Sequence, residues 1–405
     1  MSVQAGSFAL QALGDSSRIN VLRLIHEHKD ISRTDLAKKS HLSLSAVSRI
    51  VKQLLDDGYI LETGYGDSNG GRKPINIRVN PHAGYIIGVD FGKTAANAGV
   101  FDFSGDMISQ YIVQIHDNDY LTGIYAAIDN CVESLEDPSK LLLIYCGVRG
   151  LLDNSSGTIV FSLTFGWSNI PLKQLLSLRY NVPVALDINA RLAALGEWST
   201  IYKDTTSDLA YITTSWGICA GVISNGKLFY GARGLAGEIG NSLVFTDRTM
   251  QPYSKLEELC GGQMLIRRAC EMWESPQNLL LKKLTGNDSK KLTVEDIVAA
   301  VNSNDAFAVS IAHEAAAVLA TGLINVVFSY NPQIIVIGGL LSEMGSVILT
   351  TINDIMKERL PAPIFESVRV ELTVLGSRSS LVGAAQAAFR LLFSSPTGLS
   401  NDPED

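Results

Sequence analysis

The sequence lacks several things that a chain of 405 residues can carry. Its five cysteines, at positions 131, 146, 219, 260 and 270, are odd in number and form no Cys-x-x-Cys pair. That excludes a disulfide framework and a cysteine zinc cluster, and reduced, buried thiols are expected instead. The first 20 residues hold no basic start followed by an apolar block, so no secretory leader is expected and the chain is read as cytoplasmic. Charge is missing from residues 315–341, a mostly apolar run. Asn331-Pro332 breaks that run, and Gly338-Gly339 follow a short β-branched segment, so a buried helix, a turn and a buried strand are expected there, not a membrane span.

What is present is the composition of a globular chain, 46% hydrophobic and 18% charged, long enough for two or three domains. The net charge of −8 is unevenly shared. Residues 1–80 hold 11 Lys and Arg against 8 Asp and Glu, whereas the rest holds 22 against 33. A basic head on an acidic body points to a polyanionic partner for the head.

Residues 15–57 read as three short helices. The first spans about Ser16 to His28. The second follows Ser32, with Asp35 three residues on in a capping-box pattern. The third follows Ser43 and places Val47, Ile50, Val51 and Leu54 on one apolar face, with Gly58 as its stop. On the opposite face Ser45, Ser48, Arg49 and Lys52 recur at helical spacing, with Ser43 at the start. Hydroxyls and a guanidinium suit phosphate oxygens and major-groove base edges. The short turn His41–Ser43 gives a helix-turn-helix. Strands at Tyr59–Glu62 and Ile75–Val79 flank a glycine-rich loop, a wing whose tip carries Arg72 and Lys73.

From Tyr85 the texture becomes α/β. Short apolar strands recur at Tyr85–Val89, Leu141–Cys146, Val182–Leu186, Leu209–Thr213, Ile334–Ile337 and Val368–Leu375, with helical segments between them. Strand-turn patterns near residues 85 and 210 suggest two related halves. The expected organisation is a head over 1–80, a first lobe over 84–200, a second over 201–393 whose last helices can pack back on the first, and a disordered tail over 394–405.

Particular motifs carry a family resemblance. Asp35-Leu36-Ala37, the stretch Leu44 to Val51 and the wing Gly71-Arg72-Lys73-Pro74 resemble the winged helix-turn-helix of the ROK family (repressor, ORF, kinase), in its xylose and N-acetylglucosamine repressor branch. The body is similar to ROK sugar kinases in five ordered motifs: Asp90-Phe91-Gly92-Lys93-Thr94, Trp167 to Leu172, Asp187 to Ala190 with Ala194 to Glu197, Gly234 to Gly240, and Ile335 to Gly339. The resemblance implies an α/β chain with a winged helix-turn-helix before a two-lobed actin/hexokinase-like body. It also implies which residues matter. Asp187 stands at the kinases' catalytic-base position, and Asp187, Asn189, Glu238, Asn241 and Glu257 at their sugar site.

The same motifs also depart from the family's pattern. Lys93 replaces a glycine in the first phosphate loop, Asp90, Gly92, Lys93 and Thr94. The second reads Ser215-Trp216-Gly217 where kinases have Gly-Thr-Gly, which removes a hydroxyl and adds bulk near the phosphates. Leu186 replaces an Asn before the base. Asn241 replaces the His that, with cysteines, binds structural zinc in the family. Residues 241–260 hold only Cys260 and no His, so no metal is expected, and no cofactor.

The expected function is therefore a DNA-binding regulator, a repressor of carbohydrate-related genes, with a body that binds a sugar or similar effector without phosphorylating it. Its expected partners are double-stranded operator DNA, that effector and a second or further copies of itself as a homodimer or homotetramer, with no membrane. The alternatives are an active sugar kinase carrying a DNA-binding head, and a ligand-independent regulator whose body only oligomerises.

Overall fold

The structure, a computed structural model, describes residues 16–65, 75–245 and 253–394. The head is built from helices α1 (Ser16–His28), α2 (Arg33–Ser40) and α3 (Leu44–Asp56). Val21, Leu22 and Ile25 of α1, Leu36 of α2, and Val47, Ile50, Val51 and Leu54 of α3 are buried together, because helical spacing collects them on facing stripes. Ser32 caps α2: its hydroxyl accepts from the Asp35 N–H and donates to the Asp35 carboxylate at 2.7 Å. The carboxylate thus meets the Ser32 hydroxyl, not the backbone N–H that a capping box uses. Ser43 caps α3 by accepting from the Ala46 N–H at 3.2 Å. Between the two helices His41 turns the chain at φ 55°. Strands β1 (Ile31–Ser32), β2 (Ile60–Tyr65) and β3 (Ile75–Val79) pair antiparallel in the order β1-β3-β2 and form the stem of a wing. Arg72 and Lys73, expected at its tip, lie outside the described residues.

The body contains two five-stranded sheets of one topology. In the first, β4 (Tyr85–Phe91), β5 (Ala95–Asp102) and β6 (Met107–Gln114) form an antiparallel meander. Then β7 (Leu141–Val148) adds parallel to β4, followed by a small antiparallel sheet of β8 (Leu151–Asp153), β9 (Thr158–Ser162) and β10 (Trp167–Ile170). Finally β11 (Val184–Ile188) adds parallel to β7. Helices α4 (Tyr120–Glu133) and α5 (Leu172–Tyr180) supply the crossovers.

The second sheet repeats the plan. After α6 (Asn189–Glu197), the meander is β12 (Leu209–Thr214), β13 (Ile218–Ser224) and β14 (Lys227–Leu228). A hairpin of β15 (Leu243–Phe245) and β16 (Tyr253–Lys255) follows, then helices α7 (Leu256–Cys260), α8 (Gly262–Glu271), α9 (Leu280–Leu284), α10 (Val294–Asn302) and α11 (Ala306–Tyr330). Then β17 (Ile334–Gly339) pairs parallel with β12. After α12 (Ser346–Arg359) and α13 (Ala362–Ser367), β18 (Arg369–Leu372) pairs parallel with β17, and α14 (Ser379–Leu392) ends the described chain. The strand-turn repeat seen near residues 85 and 210 is this duplicated meander.

Of the described residues, those from Ser16 to Ile188 and from Ala384 to Ser394 form one compact unit, and those from Asn189 to Gly383 form the other. The second unit's core gathers on α11, whose Ala312, Ala316, Leu319 and Leu323 are fully buried. Among the described residues α11 is the one helix long and apolar enough to cross a membrane, and most of it is packed inside this core. Asn331, left-handed at φ 47°, ends it before β17. Gly338 on β17 has no room for a side chain: a Cβ there would lie 1.8 Å from the Tyr211 hydroxyl.

Candidate DNA-binding face and ligand site

On α3 the residues Ser43, Ser45, Ser48, Arg49 and Lys52 are all exposed, opposite the buried stripe. Four other cations of the head are tied into ion pairs: Arg18 with Asp57, Arg23 with Glu27, Arg33 with Glu62, and Lys38 with Asp35. Arg18–Asp57 and Arg33–Glu62 link different elements of the head, whereas Arg49 and Lys52 stand on the outer face of α3. Leu44, which the sequence reading passed over, is 50% exposed at the start of α3. An apolar side chain beside Ser45 is suited to a thymine methyl group. On the helical wheel it falls beside Val51, at the edge of the buried stripe, so spacing alone marked it as core.

In the second unit Glu238, Asn241 and Glu257 come together. Asn241 Nδ2 donates to Glu238 Oε2 at 3.2 Å, and Lys255 Nζ donates to Asn241 Oδ1 at 2.8 Å. Glu257 Oε2 closes the group. It lies 2.8 Å from where a Cβ on Gly240 would be and 3.1 Å from one on Gly217, so both glycines make room for it. Loss of solvent, then the charge of Glu257, push the Glu238 carboxyl above its ordinary range, while Asn241, Cys219 and Arg191 pull it back. Arg191 is buried; its guanidinium donates to the Gly234 carbonyl at 2.9 Å and sits 4.9 Å from the Tyr230 ring centroid. Lys255 and Arg191 were missed by sequence reasoning, since neither stands in a recognised motif. Asn189 is buried at the start of α6 in this unit. Asp187 belongs to the other unit, buried at the end of β11, with its Oδ1 accepting from the Ile188 N–H at 2.7 Å.

The first phosphate-loop segment is a tight turn between β4 and β5, closed by the Gly92 N–H on the Ala95 carbonyl at 2.8 Å, with Lys93 and Thr94 exposed. Asp90 at its start has one carboxylate oxygen buried without a hydrogen-bond partner, and the other 3.8 Å from Arg149. Burial raises its pKa, and Arg149 partly offsets that. Arg149 also donates from Nε to the Phe91 carbonyl at 3.2 Å, so a guanidinium sits against this loop. In the second loop the Ser215 N–H donates to the Gly217 carbonyl at 3.0 Å. Trp216 is half-buried and packs against the core of its unit, so that core takes up part of the bulk expected near the phosphates. The hydroxyl that the segment lacks is not restored by this packing.

The chain matches the ROK family over residues 86–390. It belongs to the ROK family. The head matches the MarR family over residues 16–62. Across nearly the whole length it is similar to a xylose repressor of Caldicellulosiruptor bescii, 28% identical over 94% of this chain and 97% of the relative. Among solved structures it is similar to a ROK family glucokinase from Streptomyces griseus in complex with glucose and AMPPNP, with a TM-score of 0.67, 27% identity, and coverage of 76% of this chain and 100% of the glucokinase. A ROK family transcriptional regulator, a homologue of the Escherichia coli MLC protein, shares the fold at a TM-score of 0.75 and 21% identity over 94% of this chain and 98% of its own. The fold is thus a MarR-like winged helix-turn-helix followed by a ROK actin-like body.

Within this ROK body the zinc expected of kinases has no fitting ligand set. Among the described residues no group of three or more His, Cys, Asp or Glu could hold a metal. Asn241, at the position of the family's zinc-binding His, is bonded to the Lys255 ammonium, and a fixed cation there repels a metal ion. Burial raises all five thiols, that of Cys131 to about 12, which disfavours the thiolate that zinc requires.

Proposed function

We propose that this ROK protein is a DNA-binding, sugar-responsive transcriptional repressor whose body binds a sugar or related polyhydroxylated metabolite without phosphorylating it. The observation that carries the reading is the outer face of α3, where five polar residues stand exposed on a winged head joined to a ROK body. The similarity to the xylose repressor runs over almost the full length of both chains, and it supports assigning sugar response and repression here. Donors on a sugar would satisfy the Glu238 and Glu257 carboxylates, whose like charges raise the Glu238 pKa. Asn189, in the same unit, completes the proposed ligand set there. Arg72 and Lys73 would add minor-groove contacts from the wing.

Sugar binding acts through linkage. A ligand that favours one conformation of the body shifts DNA affinity only by its differential affinity for that conformation. A dimer or tetramer would present paired heads to a symmetric operator.

Loss of kinase activity is the finer part of the proposal. It rests on Lys93, Ser215-Trp216 and Leu186, and on the Arg149 guanidinium against Asp90. The decisive experiment measures binding of the purified chain to the promoter next to its own gene, with and without D-xylose, N-acetyl-D-glucosamine and D-glucose. The expected result is salt-sensitive binding altered by one of these sugars. A coupled assay for ADP release with the same sugars is expected to show no turnover. Steady turnover would make the chain a kinase, and DNA binding indifferent to every sugar would leave a body that only assembles.

A further inference from the structure

Within the unit Asn189–Gly383 a guanidinium is buried where an apolar side chain would fit. Every residue of α6 is buried, and Arg191, between Ala190 and Leu192, is 2% exposed. Burying a cation is costly unless its donors and its charge are both met, and an apolar residue of similar volume removes that cost. Packing alone therefore does not account for an arginine here. Its Nη1 donates to the Gly234 carbonyl at 2.9 Å, and its guanidinium lies 4.9 Å from the Tyr230 ring centroid. Its charge acts on Glu238 and on Cys219.

Gly234 and Tyr230 belong to one loop, residues 230–237. Both ends of the loop are tied to β13. The Phe229 N–H donates to the Val222 carbonyl at 2.8 Å where the loop begins, and the Ala220 N–H donates to the Gly237 carbonyl at 2.7 Å where it ends. The Ala236 N–H closes the loop on the Tyr230 carbonyl at 3.2 Å. A Cβ on Gly237 would lie 1.9 Å from the Ala220 carbonyl oxygen, so that end is pressed onto the strand. Between the anchors Gly231 and Gly234 both take φ 68°, a left-handed conformation that glycine enters and leaves without steric penalty. The guanidinium holds the middle of this permissive stretch by the Gly234 carbonyl. Glu238 follows the loop directly, with Cys219 Sγ donating to its Oε1 at 3.8 Å and Asn241 Nδ2 donating to its Oε2 at 3.2 Å.

We propose that Arg191 is the positioning residue of the ligand site: from beneath loop 230–237 it fixes Gly234 and Tyr230, and so holds the Glu238 carboxylate where a hydroxyl of a polyhydroxylated ligand can reach it. A buried donor on a backbone carbonyl selects one conformation of a glycine-rich loop, because every alternative strips that bond from a cation inside the core. The charge acts as well, offsetting the loss of solvent and the Glu257 charge that burden the Glu238 carboxylate. At 2% exposure Arg191 works through the loop and through its field and does not touch the ligand. That the loop serves a ligand rests on the proposed sugar reading, whereas the placement of Glu238 does not, and its test uses neither sugar nor DNA.

The test combines hydrogen–deuterium exchange by mass spectrometry with thermal melting, both on the full chain. Arg191→Met keeps the volume and removes donor and charge. Exchange in the peptide covering residues 228–238 is expected to rise roughly tenfold, while the peptide covering the core strand 334–339 keeps the wild-type rate. Arg191→Lys keeps the charge and a donor, and should bring loop exchange back to within roughly threefold of the wild type. Tyr230→Leu removes the half-exposed ring that covers the guanidinium, and it repeats the test with a rise of roughly threefold if Arg191→Met unfolds. Melting at neutral pH reads the charge: Arg191→Met should lower Tm less in a Glu238→Gln background than in the wild type, because the carboxylate that the cation offsets is gone. Loop exchange at the wild-type rate in Arg191→Met, or in Tyr230→Leu if Arg191→Met does not fold, overturns the proposal. Equal loop exchange in the Lys and Met variants also overturns it. So does a uniform rise in both peptides with melting effects that simply add, because that marks Arg191 as a packing residue of the core.

Discussion

Lys255 Nζ donates to Asn241 Oδ1 at 2.8 Å, and the amide nitrogen of Asn241 donates to Glu238 Oε2 at 3.2 Å. A cation, an amide and a carboxylate form one line, and the cation fixes which end of the amide faces the carboxylate. Removing the ammonium with Lys255→Met frees the amide to rotate and lets its oxygen meet the carboxylate. Sugar affinity, read by calorimetry, should fall about three- to tenfold, with little change in thermal stability because the pair is partly solvated. Unchanged affinity would separate Lys255 from the ligand site.

Glu238 makes a prediction of opposite sign for stability. Loss of solvent first, and Glu257 second, raise its pKa in the folded chain. A carboxylate with a raised folded pKa destabilises the fold above its ordinary pKa, and the penalty lifts as pH falls through the raised value. Glu238→Gln should therefore melt higher than the wild type at neutral pH, and the gain should shrink on acidification. The same variant should bind sugar more weakly, because a charged acceptor is gone. A melting temperature that drops at neutral pH would show that Glu238 is held by favourable contacts instead.

Arg49 stands exposed on α3 and takes no part in the four ion pairs that tie Arg18, Arg23, Arg33 and Lys38. Arg49→Ala should cost on the order of 1–3 kcal/mol of operator binding if the guanidinium reads a base, and Lys52→Ala should lower the salt slope by about one if the ammonium meets a phosphate. Titrations of labelled operator at several salt concentrations distinguish the two roles. An Arg49→Ala chain that binds as the wild type does would move recognition to the wing.

The three helices of the head were legible in the sequence, whereas the first wing strand runs on to Tyr65. The signals of those helices are local: Ser43 before an apolar stripe, polar residues at helical spacing opposite it, and a glycine stop. The duplicated sheets were legible as a rhythm, and α11 followed by β17 was readable from Asn331-Pro332 and the β-branched run. The residues that were not legible act across sequence distance. Lys255 enters the ligand group by a hairpin, Arg149 meets Asp90 across parallel strands, and His26 meets Phe389 only once the last helix has docked. No spacing rule marks such pairs. Trp216 shows the converse limit, because its identity at the second phosphate loop was plain, while its packing against the core depends on the whole unit.

His26 ties the head's stability to pH. Burial beside Phe389 and Phe393 is the main force on its ring, with Glu27 acting against it and Lys29 with it, and the pKa falls from 6.5 to about 4. The aromatic residues and Gly105 that face the ring bring no charge of their own. A histidine whose folded pKa lies below its unfolded one is protonated first in the unfolded chain. Stability is therefore fully present above about pH 6.5 and is lost as the pH falls toward 4. The loss attributable to this ring is on the order of 3 kcal/mol, since each unit of pKa difference is worth about 1.4 kcal/mol. Other carboxylates titrate in the same range, so the contribution of His26 is isolated by comparison with His26→Phe, which keeps the packing and removes the titration. Denaturant unfolding followed through exchange of the peptide covering residues 16–28 should give a curve for the wild type that drops from pH 6.5 to 4 and a flatter one for His26→Phe. Parallel curves would mean that the ring finds a proton acceptor in the folded chain and is not held beside Phe389 and Phe393 as a neutral group.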